Sequence, residues 1–140
     1  MAFKKKKGLM KAVNWIRGDI MAGLSISSTL FPYRMSMADK TPMEFTLEIK
    51  NNDIKSKNVS LNLLLPEVVA FDKTGMSKSI NKKIDGLKPN EKQKFVFELH
   101  PTKKAGVGQF DGEVTVEEYA GNYDYLVGSY RRPITIRVLR

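Results

Sequence analysis

The chain contains no cysteine, which excludes a disulfide framework, thiolate metal sites and a cysteine nucleophile. It holds a single histidine, His100, directly before Pro101. Triads and metal sites both need convergent partners, so a lone histidine at a strand end marks neither. No apolar run approaches the roughly 20 residues of a membrane-spanning helix. The stretch after Lys4–Lys7 is broken by Lys11, Asn14, Arg17 and Asp19, so the apolar centre of a secretory signal is missing. Position 2 is alanine, which lacks the myristoylation pattern. These absences lead to the expectation of a cytoplasmic protein, with peripheral attachment to a membrane as a variant.

What the chain does have is enough apolar material for one core. Hydrophobic residues make up 41% of its 140 positions, a length suited to one domain with a short appendage. Net charge is +9, and more than half of the excess lies in the first twenty residues, where Lys4, Lys5, Lys6, Lys7, Lys11 and Arg17 face Asp19 alone. That asymmetry points to an anionic partner for the N-terminus.

Leu9, Val13, Ile16 and Ile20 recur at i, i+4, i+7 and i+11, one stripe of a helix that turns about 100° per residue. The reading is a basic tail and amphipathic helix over residues 1–20, ahead of a domain over residues 21–140. Lys4, Lys5, Lys6, Lys7, Lys11, Trp15 and Arg17 are its candidate contacts with an anionic membrane surface or nucleic acid. Each lysine near anionic lipid adds attraction of about 1 kcal/mol. The plainer alternative is a helix packed on its own domain behind a solvated lysine tail.

Beyond Ile20 the apolar period falls from 3.6 to 2. Ala22, Leu24, Ile26 and Leu30 predict one strand, and Met43, Phe45, Leu47 and Ile49 a second. Val59, Leu61, Leu63 and Leu65 predict a third, Val69 and Phe71 a short fourth, and Ile80, Lys82 and Ile84 a weaker fifth. Phe95, Phe97 and Leu99 mark a sixth, Phe110 to Val116 a seventh, and Ile134, Ile136 and Val138 an eighth. Alternation of this kind gives each strand one buried and one wet face, as in antiparallel sheets. The expected fold is all-β, an antiparallel β-sandwich of about seven to eight strands.

The run Gly86-Leu87-Lys88-Pro89-Asn90-Glu91-Lys92, then Phe95-Val96-Phe97, then Gly108-Gln109-Phe110 leading into Val114-Thr115-Val116 resembles the second half of immunoglobulin-like domains of the CARDB and related adhesion-module type. The pattern covers roughly residues 24–139 and implies an immunoglobulin-like sandwich. Modules of that type usually sit in exported multidomain proteins. The Cys–Trp–Cys pattern of antibody domains is missing, and Trp15 lies outside the sandwich region.

No catalytic constellation emerges. Gly106-Val107-Gly108 is followed by neither Lys-Ser/Thr nor a helical pattern, so it reads as a hairpin or bulge rather than a phosphate loop. Glu117 and Glu118 are adjacent on a strand and point to opposite faces, which rules out an acid–base dyad. Asp111 and Glu113 share a face but lack a second acidic cluster to complete a calcium site. No cofactor, metal or catalytic residue is expected.

The densest functional signal lies near the C-terminus. Four of the five tyrosines, Tyr119, Tyr123, Tyr125 and Tyr130, fall among Gly121, Asn122, Gly128 and Ser129, just before Arg131 and Arg132. Tyrosine supplies rigid amphipathic contact area, and glycine, serine and asparagine supply adaptability, a composition shared by binding loops. A long loop between the last two strands is therefore expected to carry a protein contact through Tyr123, Tyr125, Leu126, Tyr130, Arg131 and Arg132. Tyr119 continues the seventh strand and reads as packing. The function expected is a non-enzymatic binding or scaffolding module in a homo-oligomer or larger complex. The alternative is nucleic-acid binding through the N-terminal tail and the basic and aromatic residues of the last hairpin, with Arg137 and Arg140 alongside.

Overall fold

The computed structural model describes residues 17–21, 23–32, 34–38 and 41–140. Among them the chain is all-β and runs through β1 (Arg17–Met21), β2 (Leu24–Phe31), β3 (Arg34–Ser36), β4 (Met43–Asn51) and β5 (Lys57–Leu64). It continues through β6 (Val69–Ala70), β7 (Ser79–Leu87), β8 (Lys92–Pro101), β9 (Gly108–Ala120) and β10 (Tyr125–Leu139). These form two five-stranded sheets, ordered β1-β2-β4-β8-β6 and β3-β10-β9-β5-β7. Every pairing is antiparallel except that of β3 with β10.

The alternating apolar residues explain both sheets. Leu24 and Ile26 on β2, Phe45, Leu47 and Ile49 on β4, and Val59, Leu61 and Leu63 on β5 join Val114 and Val116 on β9 and Ile134, Ile136 and Val138 on β10 in one buried cluster. Their neighbours along each strand face outward, as a period of two requires. Full burial of each large aliphatic side chain contributes about 1.5–3 kcal/mol, so the shared core is the main source of stability. Gly112 serves a close approach in β9: a Cβ there would lie 2.3 Å from the Leu64 carbonyl oxygen and 2.8 Å from Pro66 Cδ.

Three features differ from the sequence expectations. The amphipathic helix over Leu9–Ile20 lies outside the described residues up to position 16, and from Arg17 onward the chain is already strand. Arg17 pairs with Ser28 and Met21 with Leu24, across a tight turn in which Gly23 adopts φ 86°, a conformation glycine tolerates without steric cost. Backbone pairing to β2 thus makes Ile20, the last residue of the expected helical stripe, part of a strand. β3 was absent from the pattern because three residues are too few to display alternation; it runs parallel to the end of β10, Arg137 beside Arg34.

The third difference concerns the expected long loop. β9 and β10 stay paired from Val138–Gly108 out to Tyr125–Ala120, so only residues 121–124 form the turn. The tyrosine segment is a strand end, and strand geometry decides which of its side chains reach solvent.

Candidate partner-contact site

The β9–β10 turn is anchored to the sheet beneath it. Gly121 and Tyr123 have φ of 64° and 67°, and a positive φ is uncommon for a residue with a side chain. Tyr123 is held in that conformation from several directions. Its hydroxyl donates to Asp85 Oδ1 and lies 3.4 Å from the Ile84 carbonyl. Its ring packs on Tyr119 with centroids 5.4 Å apart, and Lys83 Nζ sits 4.5 Å from its centroid. Asn58 adds a second tie, donating to the Gly121 carbonyl and accepting from the Gly86 amide, both at 2.9 Å.

Burial and the bond to Asp85 push the Tyr123 phenol up to about 12. A raised folded value means that its contribution to stability is intact below the ordinary phenol value of 10.0 and disappears as pH climbs through the raised one. An alkaline absorbance titration should therefore contain one phenol ionising near 12, and Tyr123→Phe should remove that component. An unchanged titration curve would contradict the anchored geometry.

The remaining residues of the expected contact set separate sharply. Tyr130 is only 9% exposed and belongs to the core cluster, with the Arg132 guanidinium carbon 5.3 Å from its ring centroid. The structure therefore removes Tyr130 from the surface. Arg131 is exposed and lies 3.7 Å from Glu113 across the strand pair. Tyr125, Leu126 and Val127 are 72%, 55% and 51% exposed, three consecutive large apolar side chains at the hairpin tip. A bulge between Leu126 and Gly128 inserts Val127 into the ladder, and the extra residue lets adjacent side chains escape strict alternation.

Beside this tip is an open cleft of about 520 Å³, lined by Asp53, Lys55, Ser56, Lys57 and Asn58 on one bank and by Glu118–Gly121 and Val127 on the other. The β4–β5 loop that forms the first bank is built by Asn51, which is fully buried. Asn51 donates to the Lys55 and Leu87 carbonyls at 2.7 and 2.8 Å and accepts from the Asp53 amide at 2.8 Å. Ile54, on the same loop, is exposed and adds apolar surface on that side.

At the base of the cleft, Lys57 Nζ donates to Glu118 Oε2 at 2.9 Å, and both side chains are more than nine-tenths buried. Asp53 Oδ2 lies 3.2 Å from the same ammonium. Burial pushes the Lys57 ammonium toward neutrality, but the bonds to Glu118 and Asp53 outweigh it and leave its pKa raised. The Asp53 carboxyl is lowered by the Ile54 amide and then by Lys57. Glu118 Oε1, in contrast, is buried without a hydrogen-bond partner.

Asn51, Asp53, Lys57 and Val127 escaped the sequence reading, and Glu118 entered it only as a dismissed acid–base partner of Glu117. A signal existed: Lys57 shares the inward parity of Val59, Leu61 and Leu63, and Glu118 that of Val114 and Val116. Among the residues expected to touch an anionic partner, Lys4, Lys5, Lys6, Lys7, Lys11 and Trp15 lie outside the described residues, and Arg17 opens β1. The other polar candidates are engaged locally: Asp111 accepts from Thr135 at 2.9 Å and His100 Nε2 lies 3.0 Å from Glu98. No group of three or more histidine, aspartate or glutamate side chains suited to a metal ion occurs among the described residues, and no helix long and apolar enough to cross a membrane occurs among them.

Among solved structures, the chain is similar to Spo0M, the sporulation control protein from Bacillus subtilis, with 13% identity, a TM-score of 0.42 and coverage of 86% of this chain. The match spans 51% of that structure's chain, about half its length. No protein-family model matches the sequence, and no curated protein matches it.

Proposed function

We propose that the chain is a non-enzymatic binding module, built on an immunoglobulin-like sandwich, that contacts another protein through the tip of the β9–β10 hairpin. The observation that carries this reading is the run Tyr125-Leu126-Val127, more than half exposed at each position, presented on a turn that is anchored from below by Tyr123 and Asn58. A rigid support lowers the ordering cost of binding, and aromatic anchors ringed by polar groups concentrate interface energy. The basic N-terminal stretch Lys4–Lys7 supplies a second attachment on this reading, toward an anionic surface.

The nucleic-acid alternative is less favoured. It relies on basic side chains stacking with aromatics to receive bases, yet Arg132 already lies over Tyr130 and Arg131 is near Glu113. Arg131 and Arg132 are thus engaged with β9 and with Tyr130, which leaves Tyr125 as an exposed aromatic of β10 without a basic side chain on its ring among the described residues.

Site-specific photo-crosslinking in the native cell tests the proposal. A photoreactive residue at position 126 should yield one discrete crosslinked polypeptide, either another protein or a second copy of this chain. The same residue at position 82, on the lysine-rich edge strand β7, should yield none. Equal patterns from the two positions would sink the assignment.

A further inference from the structure

We infer that the cleft between the β4–β5 loop and the β9–β10 hairpin receives an arginine side chain of the partner polypeptide, with Glu118 as its acceptor. The inference rests on the reading of this end as a contact surface and assigns the chemistry recognised there.

The first argument is an accounting of hydrogen bonds. A carboxylate oxygen buried without a donor costs about 1–3 kcal/mol or more, and native structures rarely retain one without a reason. Glu118 Oε2 is served by Lys57, whereas Oε1 has no partner. Glu118 lines a cleft of about 520 Å³, and because Oε1 is covered, a side chain entering the cleft reaches it by displacing the groups that cover it.

The second argument is charge. Lys57 faces two carboxylates, Glu118 at 2.9 Å and Asp53 at 3.2 Å, so Glu118 shares its one buried ammonium with a second acid. Lys55 and the half-exposed Asp53 both stand at the rim, where solvent screens them alike. An incoming cation therefore meets a buried carboxylate whose ammonium partner is divided between two acids.

The third argument is shape. A guanidinium is planar, weakly hydrated and carries five donors in a rigid fork, so it suits buried carboxylates better than a compact ammonium. Its aliphatic stem would cover Val127 and Ala120 and its plane would meet Tyr119, all of which line the cleft. The exposed Tyr125 and Leu126 then hold the flanking residues of the same partner segment.

The test is an amide-resolved NMR titration of the full chain with N-acetyl-arginine amide, N-acetyl-citrulline amide and N-acetyl-glutamate amide. The arginine probe should move the amides of Tyr119, Gly121 and Val127 saturably. Citrulline keeps the shape and loses the charge, and it should bind at least about tenfold more weakly, the loss expected for a charge-assisted bond. Glutamate should not bind, and Glu118→Gln should weaken the arginine probe to a similar degree. Because the three probes are compared on the unaltered chain, the result does not require any variant to fold. No saturable shift, or equal shifts from all three probes, overturns the inference. A crosslink from position 126 without arginine binding removes the cleft and spares the tip; arginine binding without a crosslink does the reverse.

Discussion

Lys57→Met is expected to destabilise the protein by about 3–5 kcal/mol, the range for removing one member of a buried ion pair. The substitution keeps the volume of the stem but leaves Glu118 buried with neither oxygen served. The double variant Lys57→Met/Glu118→Leu should recover most of that loss and finish within about 1 kcal/mol of the parent or above it, since a well-packed apolar pair often equals a buried ionic one. Urea unfolding at neutral pH compares the three proteins. The pH dependence has a definite sign. The Lys57 pKa is raised from 10.5, so its contribution is complete below that value and is lost only as pH climbs through the raised one. A single variant as stable as the parent would mean that the pair is not buried as described.

The second large effect separates two tyrosines that look alike in the sequence. Tyr130→Ala should cost about 3–5 kcal/mol, as large aromatic deletions in cores do, because Tyr130 is 9% exposed and packs within the shared core. Tyr125→Ala should stay within about 0.5 kcal/mol of the parent, the usual range for surface changes, because Tyr125 is 72% exposed. Thermal unfolding of the two variants side by side decides the matter. Similar losses in both would place Tyr125 in the core and dissolve the proposed contact surface.

Much of the fold was legible in the sequence because burial in an antiparallel sheet leaves a period of two. Met43–Ile49 and Val59–Leu65 state that period plainly, and both became strands, β4 and β5. The strands that were missed are those whose formation depends on pairing rather than pattern. Arg17–Met21 holds only Ile20 of the expected helical stripe and no alternation of its own, and its pairing with β2 makes it extended. Arg34–Ser36 is too short to have a period at all.

The exposed tip proposed as a contact surface was legible in the sequence only by its composition. Composition pointed to residues 119–132, yet composition cannot tell a strand end from a loop, and so could not separate Tyr130 from Tyr125. In β10 the parity that places Ile134, Ile136 and Val138 inward also carries Tyr130 inward, once the strand is known to extend that far. The bulge at Val127 interrupts the same parity and exposes the tip. The cleft was harder to foresee because it joins positions some sixty residues apart; Lys57 and Glu118 are 61 apart in sequence. Each is a charge at an inward position of its own strand, and only the pairing of β5 with β9 brings them together.

The central claim is that the hairpin tip holds a protein partner without helping to hold the fold. The most direct measurement is sedimentation in cell extract of a Tyr125→Ser/Leu126→Ser variant beside the parent, which the account expects to run in an assembly, together with the melting temperature of each. The account predicts a melting temperature within about 2 °C of the parent, as expected for exposed positions, together with a shift of the chain from the assembly to the free monomer. A variant that melts like the parent and still sediments with the full assembly would contradict it.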